Sequence, residues 1–134
     1  MFRYREHQVA ELVTFLSDTV VKAADHLILA GDFNVDPRDN EDTLKSVGVA
    51  LTNTLTDAEA VNPSFVTLGN KANTYTEHGQ AGKIYDYIWF RPGGGTSLES
   101  YTLMDLRTKK EELSLSDHMG QSAKFTLTKQ YESN

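Results

Sequence analysis

The sequence predicts an α/β domain, and three observations carry that prediction. The chain opens with a helical rhythm of apolar residues, continues with an unbroken apolar segment, and ends with three segments suited to strands. Val9, Leu12, Val13, Leu16 and Val20 recur at helical spacing, with Arg5, Glu6 and Glu11 between them, which predicts an amphipathic helix over residues 5–22. "HLILAG" (26–31) does not alternate and reads as a strand covered on both faces. "DPRDNEDTLKSV" (36–47) holds a turn and a short helix, with Asp39 or Asn40 as its N-cap. Residues 50–82 are rich in Thr, Asn, Ala and Gly and read as long surface loops around short extended pieces. "KIYDYIWF" (83–90) is dense in β-branched and aromatic residues and reads as a strand. "RPGGGTS" (91–97) ends it, and "LESYTLMDL" (98–106) returns as a neighbouring strand. The three glycines read as a hairpin loop rather than a phosphate cradle, because no helix N-terminus follows them. "SLSDHMG" (114–120) is a loop, "QSAKFTLTK" (121–129) alternates as a last strand, and residues 129–134 form a frayed polar tail.

Composition bounds the function. The length of 134 residues suits one compact domain or part of a larger one. With no cysteine, a disulfide framework and a thiolate metal site are excluded. A formal charge of -6 argues against nucleic acid as partner, since that binding draws on clustered Lys and Arg. An acidic chain still suits a phosphate ester when a divalent cation bridges the two anions. The opening "MFRYREHQ" lacks the apolar region of a signal peptide, and no apolar run reaches the length of a membrane span. A cytoplasmic or peripheral membrane location is the expectation.

Three polar clusters sit at predicted strand ends: Asp32 with Asn34, Asp86 within "IYDYIWF", and Asp117 with His118. Taken singly, each has an ordinary explanation: a strand-ending turn, a solvent-facing carboxylate, a solvated loop pair. Asp86 fits that explanation least, because its apolar neighbours predict burial and an ionised buried carboxylate needs a cation or donor. His118 is the natural partner. His7, His26 and His78 lie in a surface helix, at a strand entrance and in a glycine-bearing loop. Jointly the clusters supply a base, oxygen ligands for a hard cation and a carboxylate to orient an imidazole. That inventory suits phosphate-ester hydrolysis by a water activated at Mg²⁺ or Mn²⁺.

"GDFN" (31–34), "IYDYIWF" (84–90) and "LSDH" (115–118), in this order, resemble the endonuclease/exonuclease/phosphatase, or DNase I-like, superfamily. "NTYT" (73–76) and the helical "REHQVAELVTFL" are similar to neutral sphingomyelinases. The resemblance implies a four-layer α/β sandwich of mixed or antiparallel sheets with flanking helices, of which residues 1–134 correspond to the C-terminal half. It implies Asp32 as base or water-orienting acid, and Asn34 as holder of water and phosphate. Asp32, Asn34, Asp117 and His118 would form this half's metal site. His118 would stabilise the phosphorane and protonate the leaving group, with Asp86 on its far nitrogen. Apart from the resemblance, Thr74 and Tyr75 are candidates for contacting substrate, with structural packing as the alternative.

The same resemblance implies a phosphodiester substrate, with sphingomyelin at a membrane surface expected and nucleic acid disfavoured. The superfamily's upstream half supplies an Asn, a metal-ligating Glu and a second His that have no counterpart here. The expectation is therefore a chain that needs a missing N-terminal half or partner chain, with little activity alone.

Overall fold

The computed structural model describes residues 2–15, 26–34, 36, 59–61, 65–92 and 95–129. Helix α1 spans Phe2–Phe15, so residues 16–22 of the expected helix lie outside the described residues. The expected short helix within 36–47 also lies outside them, apart from Asp36, as does the tail beyond Lys129. Five strands follow: β1 (Ile28–Asp32), β2 (Glu59–Ala60), β3 (Asp86–Phe90), β4 (Thr96–Met104) and β5 (Gly120–Leu127). They form two small antiparallel sheets, ordered β1-β3-β2 and β4-β5.

The pairing corrects one expectation: β4 joins β5 rather than returning beside β3. Both edges of β3 are already taken, by β1 and by β2. Gly95 sits where the chain enters β4, with φ +88°, a left-handed conformation that glycine adopts without a Cβ penalty. Its carbonyl accepts from Thr128 N at 2.7 Å, and a Cβ there would lie 2.7 Å from Thr128 O. The third glycine of "GGG" thus seats the β4–β5 ribbon.

A second correction concerns β1. Leu27 is buried and Leu29 packs on the core cluster of Ile84, Tyr87 and Trp89, together with Phe33 and Ala60. Ile28, Ala30 and Asp32 are exposed, so the strand is not covered on both faces. Among the described residues β1 stands at the edge of its sheet, and the described core lies on one face of it. In the register, Leu29 opposes Trp89 and Asp32 opposes Asp86. Side chains alternate, so Asp32 and Asp86 share the face opposite the cluster, with Phe90. There the Phe90 ring meets Phe125 of β5 at 5.3 Å, linking the two sheets. Among the described residues, no helix is long and apolar enough to cross a membrane.

Candidate active site

The site begins where β1 ends. Phe33 N donates to Tyr85 O at 2.8 Å, so the neighbouring Asp32–Asp86 pair occupies a non-hydrogen-bonded position of the ladder. Opposed side chains approach most closely at such positions. Beyond Asp32 the chain turns: Asn34 has φ +52°, a conformation that Asn tolerates better than most residues, and Asp32 Oδ1 accepts from Asn34 N at 2.8 Å. The turn is anchored again at Asp36, which is 1% exposed and accepts from Ile84 N at 2.8 Å.

His118 arrives from the loop before β5. Its Nδ1 lies 2.7 Å from Asp86 Oδ2. An ionised carboxylate only accepts, so Nδ1 carries the proton and donates it, leaving Nε2 to act. Burial disfavours the charged imidazole. The hydrogen bond that His118 donates to Asp86 and the fields of Asp86, Asp32 and Asp117 outweigh that penalty, and the His118 pKa is raised. Ligating atoms of Asp32, Asp86 and His118 all lie within 4.8 Å of one another.

The remaining candidates sit around this trio. Asp117 is exposed and lies outside the group of three; it lines a neighbouring cleft of about 410 Å³ with Tyr75, Thr76, Glu77 and Gln80. Tyr75 is 55% exposed. Thr74 faces Ser114 instead: its N donates to Ser114 Oγ at 2.9 Å, and its Oγ1 accepts from Ser114 N at 2.8 Å. His7 and His78 are exposed, and His26 Nδ1 lies 2.6 Å from Thr96 Oγ1.

Several residues that hold the site have no role assigned from sequence, although Asn73 opens the "NTYT" stretch. Asn73, 4% exposed, donates to Ser116 O at 2.7 Å and so fixes the loop carrying His118. Ser114 donates to Asp105 at 2.6 Å, and Arg107 bonds both Asp105 at 2.6 Å and Ala72 O at 2.8 Å. Those donors, Ser114 first and Arg107 next, lower the Asp105 pKa. Arg107 therefore ties the 70s loop to β4's exit. Asn73 and Arg107 do this by bonding carbonyls, and a carbonyl partner leaves no composition signal.

The family model for Endonuclease/Exonuclease/phosphatase proteins matches residues 2–118. No curated protein and no solved structure matches the chain.

Proposed function

The chain belongs to the endonuclease/exonuclease/phosphatase family, and from that premise we propose that this site hydrolyses a phosphodiester. The family's members are in general hydrolases of phosphodiester bonds and typically depend on a divalent metal. The observation that carries the reading is the Asp86–His118 pair at 2.7 Å, facing Asp32 across the β1–β3 pairing. In this reading Asp32 takes a proton from the attacking water, and Asn34 holds that water and a phosphate oxygen. His118, whose charged form its neighbours favour, faces the phosphorane charge and gives an Nε2 proton to the leaving oxygen.

A hard cation fits the donor set in part. Asp32, Asn34 and Asp117 offer oxygens, whereas His118, acting as proton donor at Nε2, is not available to the cation in this reading. Mg²⁺ takes about six ligands, mostly oxygens, so water and substrate would complete the shell. Bound Mg²⁺ or Mn²⁺ would supply charge neutralisation at phosphate and a more acidic water. We carry the four-layer sandwich, completed by an N-terminal half or partner chain, as part of the same proposal.

The substrate we favour is sphingomyelin, cleaved to ceramide and phosphocholine. Support comes from the cleft beside the site, where Glu77, Asp117 and the Tyr75 ring stand and the described lining includes no Lys or Arg. A quaternary ammonium suits such a lining through charge and cation–π attraction, whereas a polyanion does not.

The test measures choline-headgroup release from sphingomyelin vesicles and cleavage of duplex DNA, each with a Mg²⁺ titration by calorimetry. It is run on this chain alone and on the chain joined to an upstream catalytic half of the family. Slow turnover alone, restored turnover when joined, and a loss of about 100-fold on Asp32→Ala support the proposal. Faster DNA cleavage would replace the substrate, and an unaffected Asp32→Ala rate would reject the mechanism.

A further inference from the structure

Asp86 can orient His118 only if its own backbone is held. At a non-hydrogen-bonded position opposite Asp32, the N–H and C=O of Asp86 point away from β1. On that side the β2 segment bonds β3 through Val61 N to Ile88 O, 2.8 Å. Two side chains bond the Asp86 backbone directly. Thr67 Oγ1 accepts from Asp86 N at 3.2 Å and from Tyr85 N at 3.0 Å. Gln121 Nε2 donates to Asp86 O at 3.0 Å, and its Oε1 accepts from Tyr101 Oη at 3.0 Å.

Thr67 also reaches the histidine. Its residue is fully buried, its N donates to Lys83 O at 2.9 Å, and its carbonyl accepts from Met119 N at 2.7 Å. Met119 follows His118 directly, and Leu68 bridges to both Lys83 and His118. One residue therefore sets the strand that bears the carboxylate and the loop that bears the imidazole. The Tyr101 hydroxyl that orients Gln121 stays protonated, its pKa pushed up to about 12 by burial and by the field of Asp86.

We propose that Thr67 and Gln121 are positioning residues that clamp the Asp86 backbone and thereby aim its carboxylate at His118. The inference rests on the hydrolase reading of the same site, but its test does not need turnover. The full chain, free of metal, is examined by proton NMR for the downfield imidazole N–H that His118 donates to Asp86. Thr67→Val keeps the volume and removes the hydroxyl, Thr67→Ser restores it, and Gln121→Met removes the amide donor.

Expected are a clear resonance in the unsubstituted chain and in Thr67→Ser, and its loss or upfield movement in Thr67→Val and Gln121→Met. In any active, joined form, kcat falls about 100-fold with KM unchanged. A resonance unmoved in folded Thr67→Val and Gln121→Met overturns the proposal, and so does its absence from the unsubstituted chain. Should Thr67→Val fail to fold, Gln121→Met and amide exchange decide. Tyr85 and Asp86 amides exchanging as fast as open loop in the unsubstituted chain also overturn it. A moved resonance in a chain that cleaves no phosphodiester would reject the assigned reaction and leave the clamp standing.

Discussion

At the scale of single residues, the site is a balance of charge against burial. Asp86→Asn removes the hydrogen-bonding carboxylate but leaves the burial, so the His118 pKa should fall below that of the unsubstituted chain. An NMR titration of the imidazole ring protons in metal-free protein checks this, and an unmoved midpoint would count against the pairing. The sign for stability follows from the raised folded value. The contribution of His118 is fully present below the ordinary histidine value of 6.5 and is lost as pH rises through the folded pKa. Asp36 makes a different kind of contribution, because it is buried and bonds Ile84 N. Asp36→Ala orphans that amide and should cost about 1–3 kcal/mol in urea unfolding. Asp86 was legible in the sequence because a carboxylate among aromatic residues demands a partner. Thr67 was not, since a threonine in a loop-like stretch looks the same whether or not its hydroxyl caps a strand.

Among the elements, register decides what meets what. The strands over "LILAG" and "DYIWF" were legible from apolar and β-branched composition, and their antiparallel pairing brings Asp32 opposite Asp86. The partner of β4 was not legible, because local pattern says nothing about which edges are already taken. A continuous apolar run predicts two buried faces for β1, yet among the described residues the core packs on one face only, and Ile28, Ala30 and Asp32 are exposed. The ribbon entrance offers a direct test. Gly95→Ala places a Cβ at positive φ and 2.7 Å from Thr128 O, so it should destabilise the fold by about 1–3 kcal/mol. A thermal melt unchanged from that of the unsubstituted chain would show that the ribbon closes some other way.

For the whole molecule, exposed apolar side chains set the behaviour. Leu98 opposes Phe125 in the ribbon, and Leu127 lies two residues further along the same face; Leu98 and Leu127 are 37% and 53% exposed. Self-association that grows with concentration is expected, and Leu98→Lys should shift sedimentation-velocity profiles towards the monomer. The acidic charge of -6 was readable at once from composition. The cross-strand register has one more consequence. Two carboxylates directly opposed in neighbouring strands repel, a repulsion that a cation bound between them would relieve. If the proposed cation binds there, strand pairing and cation capture would be one equilibrium seen from two sides. Saturation with Mg²⁺ at about 100 times its dissociation constant should add about 2.7 kcal/mol to the folded state, and the chain's own melting point becomes a gauge of ion occupancy.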